Sequence, residues 1–190
     1  MPDSDWWQVL WPNPADTMAS VAIEPGTPLI VDLCCGDGLF TGALARLALQ
    51  VIAIDLDPKM IACASANLAE LGAKNCEFVL GDAYDLAAVI DQPVDLVLMA
   101  NTFHGVPEKG RLAKAVAAAL KPDGRFIVIN WHRRPREETT VLGQPRGPGT
   151  GLRMEPRDVA AAVHPASLEL TRLVELPPYH YAAIFMKTSA

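Results

Sequence analysis

The sequence contains no apolar run near the roughly 18 residues that a membrane-spanning helix needs, so no membrane partner is expected. It shows no leader pattern either, since Asp3 and Asp5 stand where a secretory signal carries positive charge before its apolar stretch. A surplus of cations is also missing. Lys and Arg number 16 against 22 Asp and Glu, a net charge of −6, which argues against a nucleic-acid partner. The one basic cluster is His132, Arg133, Arg134 and Arg136. Cysteine is sparse: Cys34, Cys35, Cys63 and Cys76 include no CxxC pair, so neither a disulfide framework nor a metal site is expected. Repeats and low-complexity tracts are absent. What remains is a 190-residue chain with 51% hydrophobic and 20% charged residues, an ordinary balance for one globular domain, and the expected location is cytoplasmic.

From Leu29 onward, short β-rich runs alternate with helical stretches. Strands are expected over Leu29–Leu33, Val51–Asp55, Glu77–Leu80, Val94–Ala100 and Arg125–Trp131. Helices are expected over Phe40–Leu49, Pro58–Leu71, Asp82–Ile90 and Val106–Leu120, the last stopped by Pro122-Asp123-Gly124. Val94–Ala100 is almost continuously apolar, as befits a parallel strand covered on both faces. Alternation of this kind predicts right-handed crossovers and a parallel sheet with helices on both sides. The tail differs. Residues 133–153 form a long Pro-, Gly- and Arg-rich loop, a candidate lid. A helix over Pro156–Val163 and a closing hairpin, Leu168–Leu176 with Tyr181–Lys187, follow it. The division expected is one domain over 1–190, with an N-terminal segment (1–28), a cofactor core (29–131) and a substrate-side lid and hairpin (132–190). Trp6, Trp7 and Trp11 make the N-terminal segment either a cover across the sheet, a lid or a homodimer contact.

The richest segment runs from Val31 to Thr41, where an apolar strand reaches Asp32, passes Cys34-Cys35-Gly36-Asp37-Gly38 and opens a helix. Gly36 and Gly38 carry no Cβ, so a ligand can approach their backbone closely. A lone glycine turn suits any nucleotide cofactor. More specific is the series that follows: Asp55 ends the second strand about twenty residues on, Asp82-Ala83 ends the third, Asn101 ends the fourth, and Leu120–Phe126 leads into the fifth.

In that order and spacing, Leu29 to Trp131 resembles the class I S-adenosylmethionine-dependent methyltransferases, particularly small bacterial ones acting on small molecules. The resemblance implies an α/β, Rossmann-like doubly wound, mostly parallel seven-stranded sheet with a C-terminal antiparallel hairpin and helices on both faces. It implies S-adenosyl-L-methionine as cofactor. Asp32 would hold the methionine amino group, with Gly36 and Gly38 under the methionine and ribose. Asp55 would take the ribose hydroxyls and Leu56 the adenine face. Asp82 and the Ala83 backbone would meet the adenine edge, and the Asn101 carbonyl the methionine end. Cys34 stands where the family usually has another glycine, so the turn must accept a small side chain there. Cys34 and Cys35 read as packing residues.

Methyl transfer is an in-line displacement that depends on alignment and sometimes on a base. His104, just past the fourth strand, is the candidate general base because its ordinary pKa lies near neutrality. Loop hydrogen bonding or helix capping would explain it equally well. Thr102, Phe103, Trp131, His132 and Tyr179 are candidates for binding a small-molecule acceptor. Any of Arg133, Arg134, Arg136, Arg146 and Arg153 could clamp a carboxylate or phosphate on it. Leu176-Pro177-Pro178-Tyr179 lacks the polar first residue of the motif used for methylating DNA-base amines. Two alternatives remain open at this point: a non-catalytic S-adenosylmethionine-binding protein, and a nicotinamide-dependent oxidoreductase, whose fingerprint would need glycine at Thr41.

Overall fold

The computed structural model describes residues 4–188; Asp3 lies outside them. Two short helices, α1 (Ser4–Leu10) and α2 (Pro14–Ser20), precede the first strand. The core then runs β1 (Thr27–Leu33), α3 (Leu39–Leu44), β2 (Ala48–Asp55), α4 (Pro58–Glu70), β3 (Cys76–Leu80), α5 (Leu86–Val89), β4 (Val94–Ala100), α6 (Lys109–Ala119) and β5 (Leu120–Trp131). A two-residue-per-strand hairpin, β6 (Thr140–Val141) with β7 (Gln144–Pro145), lies in the expected lid. The chain closes with α7 (Pro156–Val163), β8 (Leu168–Leu176) and β9 (His180–Lys187).

Seven strands form one sheet in the order β3-β2-β1-β4-β5-β9-β8. β1 to β5 pair in parallel, while β9 runs antiparallel to both β5 and β8. This is the Rossmann-like sheet with a terminal hairpin. Because β1 sits between β2 and β4, the connections diverge at the β1/β4 seam, and a crevice opens beyond the carboxyl ends of those strands.

Each sheet face carries its own core. On one face, side chains such as Val31, Val97 and Phe126 pack against Leu86 of α5, Leu112 and Val116 of α6, and Val159 and Val163 of α7. On the other, Ile30, Leu98 and Ile129 pack against α3 and the N-terminal helices through Phe40, Leu44, Met18, Trp7 and Trp11. Complete burial of one such side chain contributes about 1.5–3 kcal/mol. Trp6, Trp7 and Trp11 are buried and cover this face of the sheet.

Several boundaries differ from the sequence reading, each for a local reason. The helix expected to continue to Leu49 stops at Leu44, because Ala48 and Gln50 pair with Thr27 and Leu29 of β1 and the Leu47 carbonyl accepts the Gly26 N–H. Tertiary pairing overrides the helical preference of an Ala- and Leu-rich stretch. α6 starts at Lys109 instead of Val106, since Pro107 holds Val106 in an extended conformation (ψ 124°). The stretch expected as one helix after Asp82 divides into a 3-10 turn over Ala83–Asp85 and the short α5. α4 follows the sequence closely: the Asp57 side chain accepts the Lys59 N–H at 2.8 Å and Pro58 occupies the first turn.

The segment 133–153 is not a bare loop. Arg153 is buried beneath it, donating from Nε to the Pro148 carbonyl and from Nη2 to Thr139 Oγ1 and the Arg146 carbonyl, with its guanidinium over the Trp131 ring. Gly147 (φ 84°) lies so near Trp131 that a Cβ would come within 2.8 Å of a ring carbon. Gly147→Ala should therefore cost about 2–4 kcal/mol, a left-handed backbone cost plus an overpacked contact. Gly143→Ala, also at positive φ but facing open space, should cost only about 1–2 kcal/mol. Denaturant midpoints of the two variants decide this. Equal losses would mean that the lid does not bear on Trp131.

Candidate active site

Two cavities open side by side at the carboxyl edge of β1, β2 and β4 and share Cys34, Asp55, Leu56 and Thr102. The first, about 500 Å³, carries four carboxylates, Asp32, Asp37, Asp55 and Asp57, together with Trp7, Phe40 and Asn101. The second, about 260 Å³, is more apolar and is walled by Ile54, Ala83, Tyr84, Val106 and Leu112, with Asp82 at its edge.

The loop after β1 shapes the floor. Cys34 adopts a left-handed conformation (φ 62°), as do Gly36 and Gly38, and this turns the chain sharply from strand to helix. Cys34 thus takes a backbone conformation that glycine adopts more cheaply and places its side chain on the wall of both cavities. Burial pushes its thiol up to about 12, so it stays neutral. Cys35 packs inward against Ala53 and Ala64. Gly36 lines the first cavity, whereas Gly38 does not. A Cβ on Gly38 would meet Leu68 Cδ1 at 3.0 Å and Ala64 Cβ at 3.1 Å, so this glycine serves the close packing of α3 on α4.

Asp55 ends β2 with both oxygens engaged. Oδ2 accepts the Gly36 N–H at 2.9 Å and Oδ1 accepts the Asp57 N–H at 3.0 Å. Each oxygen retains a lone pair for a ligand. Asp82 accepts the Tyr84 N–H at 2.9 Å and so begins the 3-10 turn that carries Ala83. Leu56 projects into both cavities and is 68% exposed, an apolar surface without a protein partner.

Asp32 is buried and accepts a hydrogen bond from Thr41 Oγ1. Burial raises its carboxyl to about 7, against the lowering by Thr41, and Asp55 and Asp37 add to the rise. No cation pairs with it among the described residues. Asn101, at the end of β4, holds φ 58°, and its side-chain Oδ1 and Nδ2 are both buried without a hydrogen-bond partner.

His104 lies in a 3-10 turn (Phe103–Gly105) and lines neither cavity, although Thr102 and Gly105 on either side do. Its Nδ1 is 2.9 Å from Asn130 Oδ1, which also accepts the Trp131 N–H at 3.1 Å. Asn130 Oδ1 is thus the acceptor, which makes His104 Nδ1 the donor and leaves the lone pair on Nε2. Burial lowers the His104 pKa, with Lys109 and Arg153 adding to the fall and Asn130 opposing it.

The remaining acceptor candidates are not gathered around the cavities. Thr102 alone lines them. Phe103 is fully buried against Phe126. Trp131 is enclosed by Tyr179, His180 and Arg153. His132 Nε2 is 2.8 Å from Glu175, and Tyr179 donates its hydroxyl to the Thr140 carbonyl. The lid arginines do not reach the site. Arg136 donates to the Gly147 carbonyl, Arg133 pairs with Asp158, Arg146 stacks over Trp6, and Arg153 is held as described. Conversely, the sequence reading missed Trp7 and Tyr84. Tyr84 accepts the Glu108 N–H at its hydroxyl and carries Arg111 over its ring. Trp7 enters from α1, outside the strand-end series, whereas Tyr84 directly follows Asp82-Ala83 and its place in the series was the signal available.

An α/β protein with paired cavities at the switch point of its sheet, one acidic and one apolar, is the class of a nucleotide-cofactor enzyme. The methyltransferase domain family matches residues 30–124. A ubiquinone biosynthesis O-methyltransferase of Xanthomonas axonopodis pv. citri (strain 306) is 30% identical over 138 residues, which is 68% of this chain and 57% of that protein. The chain therefore spans little more than half the length of that relative. Among solved structures, a SAM-dependent methyltransferase from Aquifex aeolicus superposes with TM-score 0.81 at 21% identity, covering 97% of this chain and 94% of the other. A TehB-like SAM-dependent methyltransferase from Corynebacterium glutamicum gives 0.65 at 23% identity, covering 92% and 87%. The chain belongs to the methyltransferase family, as a class I S-adenosylmethionine-dependent member.

The Asp32 environment yields a signed prediction. Its folded pKa, about 7, lies above the ordinary value of 3.8, so ionising it in the folded protein costs stability. That cost is absent below about pH 4, grows from there to about pH 7 and is complete above it. Asp32→Asn should therefore stabilise the ligand-free protein by on the order of 2–4 kcal/mol at pH 8. The gain should fade towards pH 4. Chemical denaturation at the two pH values checks this, and a variant less stable at pH 8 would count against it.

Proposed function

We propose that this protein transfers a methyl group from S-adenosylmethionine to a small-molecule acceptor. The observation that carries the reading is the pairing of an acidic and an apolar cavity across the shared residues Asp55, Leu56 and Thr102. When bound, the cofactor supplies an electrophilic methyl on a positively charged sulfonium. The site suits such a group: four carboxylates face the first cavity with no lining cation, and Asp32 is a buried acid without a cationic partner. The apolar second cavity, with the Asp82 carboxylate at its edge, suits the adenine.

Within this proposal, Asp32 takes the methionine ammonium and Gly36 underlies the methionine and ribose. Asp55 takes the ribose hydroxyls with its free lone pairs. Leu56 covers the adenine face, while Asp82 and the Ala83 backbone meet its edge. Cys34 packs beneath both halves, and the Asn101 carbonyl contacts the methionine end. His104, with its lone pair on Nε2 and placed between Thr102 and Gly105 of the cavity walls, takes a proton from the acceptor where one must leave. Phe103, Trp131, His132 and Tyr179 support the site from behind. Thr41 does not favour the nicotinamide reading, because its hydroxyl is committed to Asp32 at the position where that fingerprint needs glycine. Cytoplasmic location belongs to this proposal; among the described residues no helix is long and apolar enough to cross a membrane.

Calorimetric titration with S-adenosylmethionine and S-adenosylhomocysteine tests it. Wild type should bind both at micromolar levels. Asp55→Ala should bind at least about 50-fold more weakly, since it loses charge-assisted ribose contacts and the bonds that hold the Gly36 loop. Folded wild-type protein that binds neither ligand would overturn the proposal.

A further inference from the structure

We infer that the acceptor is an uncharged aromatic ring bearing a hydroxyl or aromatic amine group, recognised by the Trp7 indole and the Asn101 carboxamide. The inference rests on the methyltransferase reading and specifies its acceptor.

Three independent features lead to it. The first is an aromatic wall of the acidic cavity that the apolar one does not share. Trp7 reaches it from α1 and Phe40 from α3, and both belong to an edge-to-face series in which Trp7 and Trp11 are 6.1 Å apart and Trp11 and Phe40 are 5.1 Å apart. Rings fixed in this way present a rigid apolar surface that loses little freedom when another ring packs on it.

The second is Asn101. Its carboxamide offers one acceptor and one donor, both buried, both facing no protein partner, and the residue lines the same cavity as Trp7. A buried amide without partners is costly, and a ligand hydroxyl or amine can satisfy it as donor, as acceptor or as both. Asn101 also holds a left-handed backbone, a strained conformation for a residue other than glycine.

The third is charge. Asp32, Asp37, Asp55 and Asp57 line the cavity, and no Lys, Arg or His does. Of the five arginines over 133–153, Arg133, Arg136, Arg146 and Arg153 are engaged by Asp158, carbonyls and rings, and none of the five lines the cavity. The cofactor's ammonium, sulfonium and carboxylate sum to a single positive charge, so the four carboxylates keep the cavity negative with the cofactor bound, and a carboxylate or phosphate on the acceptor would enter a field of its own sign.

Matched ligands isolate these terms. Protein saturated with S-adenosylhomocysteine is titrated calorimetrically with 4-hydroxybenzamide and aniline as neutral probes and 4-hydroxybenzoate as the charged counterpart. At least one neutral ring should bind, at least about tenfold more tightly than the benzoate. Trp7→Leu and Asn101→Gly should each weaken that binding at least about fivefold, the glycine keeping the left-handed backbone while removing the carboxamide. S-adenosylhomocysteine affinity is measured on every variant. Where that affinity persists, a benzoate that binds as well as the neutral rings, the absence of binding by any neutral ring, or variants that bind like wild type would each overturn the inference and leave the methyltransferase reading in place. Loss of S-adenosylhomocysteine binding by the wild type would overturn both.

Discussion

The carboxylate of Asp55 joins two loops: it accepts the N–H of Gly36 from the turn after β1 and the N–H of Asp57 from the start of α4. β1 and β2 already run side by side in register, Leu33 opposite Ile54. What the sheet cannot do is hold the chain once it leaves the strands. Asp55 does so from the end of β2, and the left-handed turn through Cys34, Gly36 and Gly38 keeps its shape against that anchor. Both cavities include Asp55 because the loops it fixes are their common boundary. A carboxylate suits this task since it accepts several N–H groups at once, and the lone pairs left over face the cavity.

Much of this was legible in the sequence because it is local or periodic. Val94–Ala100 is buried on both sides in the structure, as its unbroken apolar run requires. Asp57-Pro58 opens a helix by a mechanism that needs only adjacent residues. Asp32, Cys34, Gly36, Asp55, Leu56, Asp82, Ala83 and Asn101 all reach the cavities because each sits at a strand end, and strand ends in a parallel sheet share one edge. Less legible was anything decided across the sheet. Trp7 reaches the site only because the N-terminal segment shares a core with α3, through Trp11 and Phe40, and no spacing in the sequence connects the two. Gly38 looked like a glycine for ligand approach, yet what it meets is Leu68 and Ala64 on α4, contacts set by how two helices cross. The lid arginines looked available because their loop was polar. Arg153 is instead one of its most buried residues.

The lid shows how charge is kept apart. A buried guanidinium normally demands a carboxylate. Arg153 has instead two backbone carbonyls, a threonine hydroxyl and the Trp131 face, and its Nη1 is left without a partner. Trp131 in turn lies parallel to Tyr179, whose hydroxyl reaches back to the Thr140 carbonyl of the lid hairpin. The lid closes on itself and on aromatic rings, without an ion pair to the cavity. Had Arg153 paired with Asp32 or Asp55, the lid would have been held more tightly, but the acidic cavity would have lost the field that a cationic ligand needs.

Buried polar atoms without partners and left-handed residues occur in several places, among them Trp11, Asn130, His180 and Arg153 and the turns at Ala22, Asp123, Leu142 and Ser167, and one group of them lies where that field is. Across most of both cores the buried side chains are apolar and need no partners. At the carboxyl edge of the sheet, Asp32 is buried without a cation, Asn101 is buried without hydrogen-bond partners, and Cys34 and Asn101 hold positive φ. Each raises the free energy of the empty fold, and none is needed to make β1 follow into α3 or β4 into α6. A sequence selected for stability alone would place an apolar residue at 32 and glycine at 34 and 101. In the binding mode proposed above, a ligand with an ammonium and a sulfonium, and a polar aromatic acceptor beside it, would remove these desolvation and hydrogen-bond costs together. The second cavity needs fewer such departures: its lining is mostly apolar, and Asp82, the acceptor proposed for adenine, also orders its own turn through the Tyr84 N–H.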